Sequence, residues 1–220
     1  HAWFSGNGGQ ATVCSLMNSR TILSRLWMRP GEAPVFTPHE LRLERDHIHF
    51  LQTLNYAHTE VLPVGDRAVD LAFSHACLYR RSDCSLQPQP DDPEIPVAEQ
   101  LVVRTRRDFL ALVHRYPMWL ENYPIWNREI PRAKFDSYVL IHGHTPTPLI
   151  DTIHPGGVVG FDSRSELPLV VFPAGQSVKA TVSADEVSYD APFRDVVSIN
   201  IDTGGVYGHA LTAVNLNSRR

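Results

Sequence analysis

The sequence has little of what marks several large classes of protein. Its three cysteines, Cys14, Cys77 and Cys84, are odd in number and lack paired metal-ligand spacing, which favours a reducing compartment over a disulfide framework. No run approaches the roughly 20 apolar residues that a membrane-spanning helix needs. The net charge of -4 supplies no basic field for nucleic acid or anionic membranes. We therefore expect a soluble, cytoplasmic protein whose main partner is neither nucleic acid nor a membrane.

The 220 residues are enough to bury a hydrophobic core, and their composition is that of an ordinary globular chain. We expect one domain over residues 1–220. The sequence opens at His1 rather than at a methionine and shows no signal-peptide pattern. From this we expect the natural chain to begin upstream of His1.

Hydrophobic periodicity predicts a mixture of helices and strands. Helical spacing of apolar residues over 38–54 follows a Thr-Pro start signal and predicts a helix. Two short apolar runs, 59–64 and 68–73, flank Gly65-Asp66 and predict a β-hairpin. Further predicted elements are a helix over 105–115 and strands over 137–141, 169–172, 177–182, 197–201 and 210–216.

Two histidines stand at the carboxyl ends of predicted strands. His75 follows the second hairpin strand, and His144 follows the strand over 137–141. Imidazole binds borderline metals well, and a layered fold would bring both side chains to one edge of a sheet. The simpler alternative is that each is a surface or core histidine, because most of the eleven histidines will be. Strand alternation points His142 to the opposite side from Ile141, as a residue behind the site or in the core.

Five motifs in order along the chain resemble those of bacterial and phage-type serine/threonine protein phosphatases, which are calcineurin-like metallophosphoesterases. The matching residues are Trp3 with Asn7-Gly8-Gly9, Thr12 and Ser15, then Phe73-Ser74-His75-Ala76, Trp126-Asn127-Arg128-Glu129, Gly143-His144-Thr145-Pro146, and the run Asn200 to Gly208. Single pieces are weak signals, but five in order form a specific one. The chain looks like the C-terminal two-thirds of such a protein.

The resemblance implies an α/β (α+β) fold in which two mixed β-sheets pack face to face with flanking helices. Because this chain resembles only the later part, the fold would be incomplete at its N-terminus. The segment between Pro146 and Asn200 is longer than the family's connection. We interpret 149–195 as an insertion within the domain, which is either a surface elaboration or a hairpin that shapes a substrate groove or contacts a partner.

The resemblance also implies a two-metal phosphoesterase site, with manganese as the first candidate and iron or zinc as alternatives. In that family a metal-bound hydroxide attacks phosphorus. By the match, His75 and His144 would ligate one metal, and Arg128 would bind phosphate oxygens, which suit its planar donors. The alternative for Arg128 is a surface ion pair with Glu129 or another neighbour. The substrate would be a phosphoprotein or a small phosphoester.

The family's other metal-binding motifs, Asp-x-His, Gly-Asp-x-x-Asp-Arg-Gly and Gly-Asn-His, are not found in this sequence. We read Asp66 as part of the hairpin turn and Asn7 as part of a glycine turn rather than as degraded ligands. Asp202 is expected to order its loop. Tyr207 and His209 could reach toward substrate from the same loop, but each is also a common strand residue.

Three functions remain open from the sequence. The first is a serine/threonine protein phosphatase, and the second is a dinucleoside polyphosphate hydrolase built on the same metal core. The third is a degenerate, non-catalytic phosphatase that acts as a binding module. A decayed site should have lost its histidines and arginine, so the retained His75, Arg128 and His144 favour an enzyme of which this chain is a truncated part.

Overall fold

The computed structural model describes part of the chain. The described residues are 45, 46, 49, 53–64, 67–84, 93–118, 122–154, 158–165, 167–177, 180–182, 187–189, 192–205, 208, 209 and 211–214. The chain divides into two compact units, residues 1–54 and 55–220, and the single domain over 1–220 stays a prediction. In the first unit, residues 45, 46, 49 and 53 are helical, as the helix predicted over 38–54 requires. The motif around Asn7 lies outside the described residues.

The strands of the second unit form a mixed sheet and a separate hairpin. Their bounds are β1 Ala57–Val64, β2 Arg67–Ser74, β3 Val139–His142, β4 Leu169–Phe172, β5 Gln176–Ser177, β6 Ala180–Val182, β7 Val187–Tyr189 and β8 Ser198–Asn200. Among the described residues, the main sheet has six strands in the order β1-β2-β3-β8-β4-β5. β6 and β7 pair only with each other. The expectation of a mixed α/β fold is therefore confirmed.

The direction of each strand follows from its pairing. β1 and β2 form the predicted antiparallel hairpin, with Ala57 opposite Ser74 at one end. β3 runs parallel to β2, and β8 runs parallel to β3. β4 returns antiparallel to β8, and β5 pairs antiparallel with β4. Three neighbouring strands in the centre of the sheet thus point the same way.

Short helices accompany the sheet. They are α1 Val97–Leu101, α2 Arg106–Arg115 and α3 Ile150–Ile153, with 3-10 turns at Arg81–Asp83, Thr147–Leu149, Ser163–Ser165, Pro173–Gly175 and Phe193–Asp195. α2 confirms the helix predicted over 105–115. It begins at a capping box in which the Thr105 hydroxyl accepts from the Asp108 amide and the Asp108 carboxylate accepts from the Thr105 amide. Within the described residues, none of these helices has the length and apolar character to cross a bilayer.

Both faces of the sheet carry buried apolar side chains. Along β3, Val139 and Ile141 join one core cluster, whereas Leu140 joins a cluster on the opposite face. All four residues of β3 are buried, including the polar His142. A parallel strand that is covered on both faces reads as a continuous apolar run, which is why this strand was visible in the sequence.

Two strand predictions need correction. The strand predicted over 177–182 is divided between β5, at the edge of the main sheet, and β6, in the separate hairpin. The strand predicted over 210–216 is wrong, because the described residues Leu211–Val214 form no strand. Leu211 is 95% exposed, so its apolar side chain finds no core to pack against. The proposed insertion, 149–195, contains β4, which pairs with β8 inside the main sheet.

The packing of β3 predicts a large loss of stability for Leu140→Ala. Leu140 is 0% exposed, so truncation removes buried apolar contacts and leaves a cavity, which lowers the free energy of unfolding by about 2–5 kcal/mol. Urea denaturation followed by circular dichroism measures this change. The matched control is Leu110→Ala on α2, where the side chain is 53% exposed and the expected change is within about 0.5 kcal/mol. Equal losses in the two variants would contradict a central position for β3.

Candidate metal and phosphate site

Three parallel strands end at the same edge of the sheet, and a functional candidate follows each of them. His75 comes directly after β2, His144 comes shortly after β3, and Asp202 comes shortly after β8. Because β2, β3 and β8 are neighbours and run parallel, their carboxyl ends lie side by side. Such edges are where α/β sheets commonly bind ligands.

Backbone hydrogen bonds hold these strand ends together. The Gly143 amide donates to the His75 carbonyl at 3.0 Å, and the Ile201 amide donates to the His142 carbonyl at 2.9 Å. Beyond the strands, the Thr147 amide donates to the Asp202 carbonyl at 2.7 Å. The loops that carry the three candidates are therefore fixed to one another.

The two histidines predicted as metal ligands are in direct contact. His75 Nε2 lies 3.1 Å from His144 Nδ1, so one ring nitrogen donates a hydrogen bond that the other accepts. The ring centroids are 4.9 Å apart. Trp126, which is 39% exposed, meets the His144 ring edge-on at 5.2 Å and forms one wall of the site.

The surroundings favour the neutral form of both imidazoles. Loss of hydration lowers the pKa of His75; the nearby Asp202 carboxylate opposes this effect, and the Arg128 guanidinium adds to it. Burial lowers the pKa of His144 to about 4, with further contributions from Arg128, His75 and His142. Near neutral pH, both rings therefore keep a nitrogen lone pair that can bind a metal.

Several features of the histidine pair suit a divalent ion. Two imidazole nitrogens that bind one ion at about 2.0–2.1 Å lie roughly 3 Å apart, which is close to the 3.1 Å between His75 Nε2 and His144 Nδ1. An ion bound there would replace the hydrogen bond between the rings, with the proton of each neutral ring on its other nitrogen. With His144 Nδ1 facing the ion, the proton of this ring would lie on Nε2, which is buried without a hydrogen-bond partner among the described residues. His144 also has a φ of 70°, a left-handed conformation that is costly for a residue other than glycine and is often found at functional sites. The described residues contain no group of three or more His, Cys, Asp or Glu side chains that could hold a metal.

Arg128 lies beside the histidine pair, as the motif match predicts. Its Nη1 donates to the His144 carbonyl oxygen at 3.2 Å. The guanidinium is also close enough to lower the pKa of both His75 and His144. The structure thus brings together the three residues that the sequence singled out, although Arg128 is distant from each histidine along the chain.

Asn127 holds the peptide next to Arg128 in place. Its side chain is 1% exposed, and its Nδ2 donates to the Leu78 carbonyl at 2.8 Å. Its Oδ1 accepts from the Glu129 amide at 3.1 Å. This buried amide joins the segment around Arg128 to the chain that continues from His75.

His142 is a core histidine, which was one of the two roles considered for it. The residue is buried, and its Nδ1 donates to the Gly143 carbonyl at 3.2 Å. Burial lowers its pKa to about 4, although the contact with Gly143 opposes the shift. Its side chain lines a small cavity with Thr145 and Asn200.

Asp202 has a larger part in the site than the sequence indicated. Its Oδ1 accepts from the Gly204 amide at 3.1 Å, which confirms that it orders the loop. Its carboxylate also raises the pKa of His75, a proximity that sequence reasoning missed. The sequence feature that could have indicated this proximity is the position of Asp202 shortly after β8, the third parallel strand. The ring of His209 lies against Gly204, whereas Asp66 and Tyr207 lie outside the described residues.

Comparisons of this chain with protein families, with curated proteins and with solved structures found no match. The resemblance to metallophosphoesterases therefore stays a prediction from the sequence motifs. The chemistry of the site depends on the contacts among His75, Arg128 and His144.

The role of Asn127 predicts that Asn127→Ala destabilises the fold. The substitution leaves a buried carbonyl at Leu78 and the amide of Glu129 without the Asn127 partner, which costs about 2–3 kcal/mol of unfolding free energy. Urea denaturation measures the loss. The control is Asn55→Ala at an exposed position, with an expected change within about 0.5 kcal/mol. An undiminished stability of Asn127→Ala would show that the segment is held by other contacts.

Proposed function

We propose that this protein is a metal-dependent phosphoester hydrolase that acts on phosphoserine or phosphothreonine in proteins. The observation that carries the proposal is the convergence of His75, His144 and Arg128, from separate motifs, at one edge of the sheet. The mixed sheet with its central parallel strands is compatible with a metallophosphoesterase-like fold of two packed sheets. A cytoplasmic location fits Cys77 and Cys84, which form no disulfide within the described part of the chain.

In this proposal, His75 and His144 hold one divalent ion, with manganese as the first candidate and iron or zinc as alternatives. Their lowered pKa values keep both rings neutral near pH 7, which is the form that binds metals. A bound pair of metal ions would supply Lewis acidity and a nucleophile that is active near neutral pH. Two imidazoles fall short of the three or four protein ligands typical of such sites, so further ligands must come from outside the described residues.

Arg128 binds the phosphate in this proposal. One N–H of its guanidinium is directed to the His144 carbonyl, and the group carries four more donors in a planar fork. Such a fork fits two phosphate oxygens at once and stabilises negative charge as it develops on them. The hydrogen bond to the His144 carbonyl holds the positively charged guanidinium beside the His75–His144 pair. Trp126 then borders the space open to substrate.

The activity test uses the protein expressed from its complete open reading frame, with Mn²⁺ and a phosphoserine peptide. We expect hydrolysis that EDTA abolishes, and a fall in kcat of at least about 100-fold in His144→Ala, because a bound metal contributes several kcal/mol to the transition state. Arg128→Ala should lower kcat/KM by about 100-fold, since it removes a charge-assisted phosphate contact. Release of inorganic phosphate provides the measurement.

The matched control for these variants is His58→Ala, because His58 is an exposed histidine on β1. This control should retain the unmodified rate. An intact rate in His144→Ala would remove His144 from the site, and absence of hydrolysis with Mn²⁺ would overturn the enzymatic proposal. Faster turnover of a dinucleoside tetraphosphate than of the peptide would transfer the assignment to that substrate class.

Metal binding gives a second test that does not depend on turnover. Mn²⁺ titration followed by electron paramagnetic resonance should show an affinity that falls by at least about 10-fold in His75→Ala and in His144→Ala, because each variant removes one imidazole ligand. His58→Ala should bind Mn²⁺ as the unsubstituted protein does. Equal affinity in all four proteins would contradict the assignment of the histidine pair as ligands.

A further inference from the structure

Arg128 is held at two points by one segment of chain, residues 144–154. The guanidinium Nη1 donates to the backbone carbonyl of His144, at the start of that segment. At the other end, His154 Nε2 lies 2.7 Å from the backbone carbonyl oxygen of Arg128. Because a carbonyl can only accept, His154 Nε2 carries the proton and donates this hydrogen bond.

The position of His154 is itself well defined. His154 is the residue that ends α3, and its amide donates to the Ile150 carbonyl at 2.7 Å. The side chain of Ile150 is fully buried in a core cluster that includes Leu169 and Val171 of β4. The imidazole of His154 therefore projects from a helix end that is anchored to the sheet.

The hydrogen bond from His154 complements the one from Asn127. The Asn127 side chain fixes the amide of Glu129, and His154 fixes the carbonyl of Arg128, and these two groups belong to the same peptide unit. With both polar groups of that peptide bonded, the backbone of Arg128 has little freedom to rotate. The direction in which its side chain leaves the backbone is set accordingly.

We propose that His154 is a positioning residue for phosphate recognition, which acts by fixing the Arg128 peptide so that the guanidinium faces the His75–His144 pair. This inference rests on the function proposed above. A displacement of about 1 Å in a group that orients substrate can cost on the order of 100-fold in rate. Loss of one positioning hydrogen bond should therefore be visible in both phosphate affinity and turnover.

The test compares His154→Leu with His154→Gln in the full-length protein loaded with Mn²⁺. The probes are inorganic phosphate, measured by isothermal titration calorimetry, and the phosphoserine peptide, measured by kcat and KM. Leucine cannot donate, so phosphate affinity and kcat should each fall by about 10-fold. Glutamine places an amide N–H near the position of the imidazole Nε2, so its values should remain within about threefold of the unsubstituted protein.

A double-mutant cycle separates positioning from general damage. In an Arg128→Ala background, His154→Leu should cause no further loss of phosphate affinity, because the group that it orients is gone. His114→Leu on α2 replaces an exposed histidine and serves as the matched control, with unchanged binding. If His154→Leu does not fold, His154→Asn replaces it, because the shorter amide does not reach the Arg128 carbonyl.

The outcomes distinguish this inference from the function on which it rests. Phosphate binding and hydrolysis that stay normal in His154→Leu would overturn the positioning role and leave the proposed function standing. An equal loss in the Arg128→Ala background would also overturn it, since the effect would then not pass through Arg128. If the unsubstituted protein neither binds phosphate nor hydrolyses the peptide, the proposed function fails and the role of His154 fails with it.

Discussion

The parallel pairing of β2, β3 and β8 is the constraint on which the site depends. Parallel neighbours place their carboxyl ends at one edge, so residues that are far apart in sequence emerge side by side. The backbone bond from Gly143 to the carbonyl of His75 extends this pairing one step beyond the strands. Without that register, His75 and His144 would be two unrelated histidines. With it, their ring nitrogens are in contact.

The electrostatics of the site follow from this placement. The sheet edge removes water from both imidazoles, and Arg128 adds positive charge, so the protonated forms of both rings become unfavourable. The same neutral rings can bind a metal, and the same guanidinium can bind an anion. The Asp202 carboxylate opposes these two effects at His75, because it raises the pKa of that ring. The two imidazoles and the Arg128 guanidinium can lie this close together because the imidazoles are neutral.

Much of the fold could be read from local patterns. The β1–β2 hairpin, α2 and β3 were visible because apolar periodicity, a capping signal or a continuous apolar run marked each of them. Tertiary placement was not visible locally: the last predicted strand failed, because the apolar side chain of Leu211 is almost fully exposed and the described residues 211–214 form no strand. His75, Arg128 and His144 were singled out by motifs, and their proximity in the structure agrees with that choice. The proximity of Asp202 and the bond from His154 depend on which strands are neighbours, and a single sequence does not contain that information. The arrangement of two packed sheets stays a prediction.

The left-handed backbone at His144 has a consequence for protein design. A sequence optimised for folding alone would place glycine or asparagine at this position, because either tolerates a φ of 70° better than histidine does. The chain instead keeps an imidazole there, with a buried ring nitrogen that has no protein partner among the described residues. A redesign guided only by stability would therefore replace His144 early, and it would remove the residue that contacts both His75 and Arg128.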